Sequence, residues 1–296
     1  MTIKTVAVCG SGVLGSQIAF QTAFHGFDVR VYDVGDEAVT RARATLEGLQ
    51  ERYQQDLQAT PEQTRAAMER LTFFTELAEA VRGVDLVIEA IPEVFDIKRD
   101  FYHKLGEVAD PDTIFATNTS TLLPSDLMEA TGRPGRFLAL HFANQIWLNN
   151  TAEIMRTPRT DDAVFDQVVA FAQDIGMVAL PLHKEQPGYI LNTLLVPLLG
   201  AALELVVKGV ADPHTVDKTW MVATGAPRGP FAILDVIGLT TPYNINMAAA
   251  AQGDAGRGAV AQYLKSYIDQ GKLGIATGEG FYSYPNPAYL REDFLK

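Results

Sequence analysis

The sequence of 296 residues has a single cysteine, a shortage of basic residues and no long uninterrupted apolar run. Cys9 cannot form an intramolecular disulfide, and its place in an apolar run predicts a small buried side chain. Lys and Arg number 24 against 36 Asp and Glu, giving a formal net charge of −12. Nucleic acid is therefore not an expected partner, because phosphate binding requires clustered cations.

The beginning of the sequence lacks the basic segment, apolar stretch and cleavage site of a secretory signal. No run approaches the roughly 18 consecutive apolar residues that span a membrane, so we expect no membrane partner. A hydrophobic content of 47% and a charged content of 20% are typical of a soluble globular protein. We expect a cytoplasmic protein with a small-molecule substrate and without a metal site.

A glycine-rich turn follows the first apolar run, residues 6–9. In a strand, turn and helix of this spacing, the first glycine makes the tight turn and the second lets a pyrophosphate approach the backbone. The third glycine lets helix and strand pack closely, and the helix N-terminus attracts the phosphates. The sequence therefore predicts a dinucleotide site that contains Gly10, Gly12, Val13, Leu14 and Gly15.

An acidic residue stands where such a site meets the ribose. The second strand-like run, 29–32, ends at Asp33, about 20 residues after the glycines. A carboxylate there accepts hydrogen bonds from the ribose hydroxyls and would repel a 2′-phosphate. NAD is therefore the predicted cofactor, in preference to NADP.

Strand-like and helix-like runs alternate through the first part of the chain. This alternation predicts an α/β fold of Rossmann type, a mostly parallel sheet with helices on both faces. The predicted strands cover 6–9, 29–32, 71–75, 86–91, 113–117, 137–142, 152–155 and 178–182. Residues 36–70 are too many for one crossover helix, and Thr60-Pro61 can start a second, so we predict an inserted helical hairpin that projects from the sheet.

Helical patterns replace the alternation near residue 187. They cover 187–208, 212–224, 230–238 and 258–271, and Asp212-Pro213 provides a cap and a proline for the second of them. We predict two domains: a nucleotide-binding domain of residues 1–186 and an all-helical C-terminal domain of residues 187–296.

Two ionisable residues fall on neighbouring predicted strands, His141 near the end of one and Glu153 within the next. A buried glutamate needs a partner, and a carboxylate can fix one ring nitrogen of a histidine so that the other accepts a proton. That is the arrangement of a general base. The residues alone leave it equally open that His141 is a structural histidine and that Glu153 faces solvent.

Seven segments, in the same order along the chain, resemble the short-chain L-3-hydroxyacyl-CoA dehydrogenases, which include the bacterial 3-hydroxybutyryl-CoA dehydrogenases. They cover 10–15, 87–93, 118–120, 140–144, 187–192, 229–231 with Asp235, and 278–282. The spacing of 12 residues from His141 to Glu153 also matches the catalytic pair of that family.

The resemblance implies a mechanism. His141 would take the proton of the substrate's C3 hydroxyl while the hydride of that carbon passes to the nicotinamide, and Glu153 would orient the imidazole and stabilise its charged form. Ser120 and Asn192 would hydrogen-bond the reacting oxygen, although Asn192 could instead bridge helices. The further cofactor contacts that it implies are Glu93, Lys98, Asn118, Ser120 and Asn144; Glu93 and Lys98 could also form a solvated ion pair.

The chain departs from the family pattern between Asn144 and Ala152. The proline that follows the asparagine in the family is absent, and Trp147, Asn149 and Asn150 are present instead. Since the segment lies between the two catalytic positions, we expect an altered wall of the substrate pocket. Trp147 could also belong to the core, and buried asparagines would need hydrogen-bond partners.

Several cations of the family are also missing. Residues 47–71 contain no lysine, Thr193 stands where an arginine is common, and Ile275-Ala276 replaces a basic pair. Arginine binds phosphate well, so Arg52, Arg65 and Arg70 keep a contact with coenzyme A possible.

The leading interpretation is NAD-dependent oxidation of a short-chain L-3-hydroxyacyl-CoA to the 3-oxoacyl-CoA, or the reverse reduction. One alternative keeps the chemistry with a 3-hydroxy acid that lacks CoA, as in the related gulonate and carnitine dehydrogenases. Another is a non-catalytic NAD-binding protein like the related lens crystallins, against which the four catalytic positions together argue. The resemblance also implies a homodimer through the helical domain, with which the apolar run 194–199 is compatible.

Overall fold

The protein, a computed structural model, is described over residues 3–296 and divides into two compact units. The first unit, Met1–Ile190, holds a sheet with helices on both faces. The second unit, Leu191–Lys296, is helical. The α/β class, the mostly parallel sheet and the helical C-terminal part predicted from the sequence are all confirmed.

The first unit is built on one eight-stranded sheet with the strand order β3-β2-β1-β4-β5-β6-β7-β8. Its strands are β1 (Thr5–Cys9), β2 (Asp28–Tyr32), β3 (Leu71–Phe74), β4 (Leu86–Glu89), β5 (Ile114–Thr117), β6 (Phe137–Phe142), β7 (Thr151–Arg156) and β8 (Val178–Leu182). All neighbouring pairs are parallel except β6 and β7, which are antiparallel. The strand order reverses between β1 and β4, which is where open sheets of this type bind ligands.

Successive residues of β1 enter different hydrophobic cores, as expected for a strand covered on both faces. Val6 and Val8 pack in one core, while Ala7 and Cys9 pack in another. Cys9 is fully buried, as predicted, and burial raises the pKa of its thiol, with a further contribution from the charge of Glu89.

Seven helices surround the sheet. They are α1 (Val13–Phe24), α2 (Asp36–Leu57), α3 (Pro61–Glu69), α4 (Leu77–Val81), α5 (Phe95–Val108), α6 (Pro124–Leu127) and α7 (Asp162–Asp174). The predicted hairpin is α2 and α3, and Thr60 starts α3 with a capping box completed by Gln63. The hairpin packs on α1, where the ring of Tyr53 meets Phe20 at 4.7 Å between centroids. Its inner face is therefore part of the core.

The remaining helices are α8 (Tyr189–Val207), α9 (Pro213–Thr224), α10 (Pro230–Ile237), α11 (Thr240–Ala251) and α12 (Ala255–Ile268). Helix α11 was not predicted from the sequence, and the predicted start of α12 was three residues late. No side chain caps the start of α11, and its apolar residues do not form a clear helical stripe. Asp254 marks the true start of α12, because its carboxylate accepts the N–H of Arg257.

Two buried aspartates organise the second unit. Asp217 accepts the backbone N–H groups of Phe231 and Ala232 at the start of α10, at 2.8 and 2.9 Å. Asp235 accepts those of Phe281 and Tyr282 at the same two distances. Burial raises the pKa of both carboxyls. The family-like segments near residues 230 and 280 therefore have structural roles in this unit.

Among the described residues, one helix, α8, is long and apolar enough to cross a membrane by length and composition alone. It has 19 residues, and only 22% of its most apolar window is buried. It is not an uninterrupted apolar run, because Asn192 and Glu204 break it.

The glycine turn between β1 and α1 is fixed by close backbone contacts. Gly10 has a φ of 97°, and a Cβ there would lie 2.5 Å from the carbonyl oxygen of Ala90. A Cβ on Gly15 would lie 1.9 Å from the carbonyl oxygen of Gly10. A Cβ on Gly12 would meet nothing within 4 Å. The first and third glycines are therefore required by the fold, whereas the second leaves open space.

Because of this difference, alanine substitutions at Gly15 and at Gly12 should have different effects on stability. Gly15→Ala must displace backbone, so we expect a lower melting temperature together with loss of NAD binding. Gly12→Ala fits the protein, so we expect an unchanged melting temperature, but its methyl group occupies the room for a pyrophosphate and should weaken NAD binding roughly tenfold or more. Thermal unfolding and NADH fluorescence titration measure the two effects. A Gly12→Ala protein that binds NADH normally would contradict the assignment of this space.

Candidate active site

A cavity of about 230 Å³ opens at the carboxyl ends of β1, β4 and β5. It is lined by Gly12, Val13, Leu14, Gly15, Ala90, Ile91, Glu93, Lys98, Asn118 and Ser120. Eight of these ten were predicted as cofactor residues. Ala90 and Ile91 were not, because the predicted strand 86–91 included them, whereas β4 ends at Glu89 and they follow it directly. The lining residues thus come from three segments of the chain, and they meet where the strand order of the sheet reverses.

The features around this cavity fit a dinucleotide. Helix α1 begins at Val13 without a side-chain cap, so its first N–H groups are available to a phosphate. Asp33 follows β2, and its carboxylate accepts the backbone N–H of Ser11 at 2.8 Å and that of Val34 at 2.7 Å. The carboxylate predicted to bind the ribose is therefore held against the glycine turn, although neither Asp33 nor Gly10 lines the cavity itself.

His141 and Glu153 face each other across the one antiparallel pair of the sheet. They are directly opposite in the register of β6 and β7, so their side chains lie on the same face. His141 Nδ1 lies 3.1 Å from Glu153 Oε2, and both side chains are buried. The carboxylate accepts a hydrogen bond from the Nδ1–H group, which leaves Nε2 as the basic nitrogen. The geometry of the predicted pair is that of an oriented general base.

The first turn of α8 holds this pair in place. The Tyr189 ring stacks on the His141 ring with centroids 4.4 Å apart, and its hydroxyl donates to the Thr119 carbonyl at 2.7 Å. The Ile190 N–H donates to Glu153 Oε1 at 2.8 Å. Tyr189 belongs to the family-like segment 187–192, but its position against the His141 ring was not predicted from the sequence. Burial raises the pKa of the Tyr189 hydroxyl, so the group stays neutral.

Ser120 joins the histidine to the cavity. Its hydroxyl lies 3.1 Å from His141 Nε2, and the same residue lines the cavity. A group bound between Ser120 and His141 would therefore touch a hydroxyl and a basic nitrogen at once. This position suits the oxygen of a secondary alcohol or a ketone.

Glu93 fixes the segment that carries Ser120. Its Oε1 accepts the backbone N–H groups of Ser120 and Thr121 at 2.9 and 3.0 Å, together with the hydroxyls of Thr119 and Thr121. Burial alone would raise the pKa of Glu93, but the Thr119 hydroxyl and the Lys98 ammonium outweigh it and lower the pKa to about 2. Glu93 is therefore charged at neutral pH.

Lys98 is less accessible than the sequence suggested. Its side chain is 1% exposed, and its Nζ contacts Glu89 Oε1 at 2.5 Å and Glu93 Oε2 at 3.1 Å. Lys98 is therefore not a solvated member of a Glu93–Lys98 ion pair, and that alternative is wrong. Glu89, which is fully buried, was not recognised as a partner of Lys98.

Two further predicted residues are not among those that line the cavity. Asn144 is exposed and does not line the cavity; its carbonyl accepts the Asn149 side chain at 2.8 Å. Asn192 is the fourth residue of α8 and belongs to the second unit. Asn118 lines the cavity, and its Oδ1 accepts the Phe142 N–H at 3.0 Å. Asn118 therefore links the end of β5 to the end of β6.

The segment that departs from the family pattern is a compact loop anchored to two helices. Gln145 has a φ of 58°, which proline cannot adopt, and its N–H donates to Gln17 of α1 at 2.8 Å. Trp147 is 8% exposed, and its indole N–H donates to Asp56 of α2 at 2.8 Å. Trp147 is therefore a core residue. The side chain of Asn150 donates to the Gly176 carbonyl at 3.0 Å.

Comparisons with known proteins agree with this geometry. Residues 5–186 match the family model described as 3-hydroxyacyl-CoA dehydrogenase, NAD binding domain, and residues 188–284 match the C-terminal domain of the same family. A probable 3-hydroxybutyryl-CoA dehydrogenase of Bacillus subtilis is 33% identical over 288 residues, which cover 96% of this chain and 98% of that protein.

Solved structures show the same relationship. A diketoreductase described as catalysing reactions of dicarbonyl compounds is 56% identical with a TM-score of 0.92, covering 96% of this chain and 100% of that one. The (S)-3-hydroxybutyryl-CoA dehydrogenase PaaH1 of Ralstonia eutropha is 28% identical with a TM-score of 0.82, covering 96% and 100%. The predicted resemblance and the predicted cofactor, NAD, are confirmed. The chain belongs to the 3-hydroxyacyl-CoA dehydrogenase family and is an NAD-dependent oxidoreductase of that family.

Proposed function

We propose that the chain interconverts a short-chain L-3-hydroxyacyl-CoA and the corresponding 3-oxoacyl-CoA with His141 as the general base. One observation carries the proposal: His141 Nε2 faces Ser120 at the edge of the cavity, while Nδ1 is held by a buried carboxylate. The curated relatives of similar length, whose names specify hydroxyacyl- or hydroxybutyryl-CoA, support this substrate class.

In the oxidative direction, His141 Nε2 removes the hydroxyl proton while the C3–H bond breaks and its electron pair leaves as hydride. Bound NAD supplies the hydride acceptor. Glu153 stabilises the imidazolium that forms, and the Ser120 hydroxyl orients the reacting oxygen. The role of Asn192 as a second contact to this oxygen stays a prediction from the family resemblance.

Replacement of the general base should abolish most of the turnover without weakening the binding of the cofactor. We expect His141→Gln to lower kcat by roughly 10² or more, because the amide cannot accept the proton that the imidazole takes beside Ser120. The Kd of NADH should change less than about twofold. The matched control is His103→Gln on α5, an exposed histidine, which should behave as the wild type. Near-normal kcat in His141→Gln would refute the assigned base.

A second candidate substrate is a small dicarbonyl compound without CoA. The 56% identity to a diketoreductase favours it, since this is well above the identity to the hydroxybutyryl-CoA enzymes. Two hairpin cations also have carboxylate neighbours: Arg65 lies 3.7 Å from Glu62, and Arg70 lies 3.4 Å from Asp28. Such exposed pairs are weak, so a CoA phosphate could still compete for the arginines.

A substrate comparison separates the two candidates. With acetoacetyl-CoA, acetoacetate and 2,4-pentanedione as oxidants of NADH, we expect acetoacetyl-CoA to give the highest kcat/KM, by roughly tenfold or more, because it adds contacts remote from the reacting carbon. Absorbance at the nicotinamide band follows each reaction. Turnover of the free dicarbonyl compounds alone would reject the first candidate in favour of the second.

We also propose that the protein is a homodimer through its helical unit. Leu194, Pro197, Ala201 and Leu205 recur at helical spacing along α8, and all four are exposed. Leu194 is 69% exposed and Leu205 is 41% exposed. A continuous apolar stripe of this kind is normally covered by a partner. The family resemblance makes a second copy of the chain the favoured partner.

The proposed dimer should be disrupted by a charge in this stripe. We expect the wild type to sediment at twice the 32.3 kDa of one chain and Leu194→Asp to sediment as a monomer. Leu57→Asp, at an exposed leucine of α2, is the matched control and should leave the mass unchanged. A monomeric wild type would exclude the dimer, and its flotation with lipid vesicles would assign the stripe to a membrane.

A further inference from the structure

Three charged side chains form a row that runs from the protein core to the cavity, and their charges do not cancel. Lys98 stands between Glu89 and Glu93, at 2.5 and 3.1 Å from their oxygens. Glu89 and Lys98 are 0% and 1% exposed, and Lys98 and Glu93 both belong to the lining of the cavity, with Glu93 beside Ser120. The row therefore begins in the core and ends where the cofactor is bound.

The hydrogen bonds of Glu89 are those of an ionised carboxylate. Its oxygens accept from Lys98 Nζ, from the Ile91 N–H at 3.0 Å, from the Thr117 hydroxyl at 2.7 Å and from the Tyr102 hydroxyl at 3.1 Å. Four donors converge on this group, and a charged carboxylate is an acceptor only. Burial of such a charge is tolerable because it is paired and fully hydrogen-bonded.

The hydrogen bonds of Lys98 are those of an ammonium group. Its three protons have three acceptors, which are Glu89 Oε1, Glu93 Oε2 and the Ile91 carbonyl at 3.4 Å. No proton is left to contact a ligand. Lys98 is thus a positioning residue that acts through Glu93, and the row carries two negative charges and one positive charge.

The nicotinamide end of the cofactor is expected near this row. A pyrophosphate at Gly12 fixes one end of the cofactor, and hydride transfer requires the ring to reach the carbon whose oxygen lies between Ser120 and His141. Glu93 and Ser120 line the cavity between these points. The oxidised ring is a cation and the reduced ring is neutral, so a net negative charge there discriminates between them.

We propose that the Glu89–Lys98–Glu93 row, with a net charge of −1, strengthens the binding of NAD⁺ relative to NADH. Glu89 supplies the excess charge from the core without touching the cofactor. This inference rests on the proposed placement of the reacting carbon at His141. It adds a property of the cofactor site that the proton-transfer mechanism does not require.

The test is the ratio of the Kd of NAD⁺ to the Kd of NADH, measured by NADH fluorescence titration and by competition with NAD⁺. Glu89→Gln keeps the shape of the side chain and removes one charge. We expect the ratio to rise on the order of tenfold, because one negative charge is removed from the surroundings of a cationic ring in a medium of intermediate effective dielectric constant. The Kd of NADH should change little, because its ring is neutral.

The matched control is Tyr102→Phe, which removes a hydrogen bond to the same carboxylate without changing the charge. Its ratio should equal that of the wild type. An unchanged ratio in Glu89→Gln, or an equal rise in Tyr102→Phe, would overturn the proposal. If Glu89→Gln does not fold, Glu93→Gln decides, because it removes one negative charge at the more exposed end of the row and must also raise the ratio.

The binding ratio is independent of turnover, so the two proposals fail separately. A normal kcat in His141→Gln together with the expected ratio in Glu89→Gln would reject the assigned base and keep the charge effect. A loss of kcat in His141→Gln together with an unchanged ratio in Glu89→Gln would keep the assigned base and reject the charge effect.

Discussion

The site depends on the antiparallel pairing of β6 with β7 in a sheet that is otherwise parallel. A parallel neighbour would need a long crossover, and residues twelve positions apart could not then face each other. The reversal places His141 opposite Glu153 in the register, on one face of the sheet. Ser120, after β5, then meets the free ring nitrogen, and the start of α8 closes over the pair. The antiparallel pairing of β6 with β7 therefore brings together the residues that form the proposed general base.

The sequence was sufficient for features that follow from local chemistry. The two bounds of β6 and those of β8 were predicted correctly, because each is an apolar run in a clear context, and Thr60 and Asp212 marked helix starts through their caps. Helix α11 carries no such cap and was missed. The position of Tyr189 against His141 was missed for another reason, since a stacking contact between residues 48 positions apart has no local signal.

The structure also separates two kinds of family-like segment. Segment 118–120 and the segment around His141 reach the candidate site, whereas Gly229 and Gly280 are explained by packing. A Cβ on Gly229 would lie 2.3 Å from Asp217 Cγ, and one on Gly280 would lie 2.1 Å from Asp235 Oδ1. The resemblance of these segments therefore reflects a shared way of burying two carboxylates. Sequence alone does not distinguish such a requirement from a catalytic one.

The loop after the catalytic histidine has a consequence for the evolution of the chain. Gln145 uses a left-handed backbone conformation and gives its N–H to Gln17, and both features are incompatible with the proline of the family pattern. A single reversion to proline would break the turn and leave Gln17 Oε1 without its closest donor. Proline at this position would therefore require compensating changes elsewhere, so the identity of residue 145 and that of residue 17 are expected to be coupled.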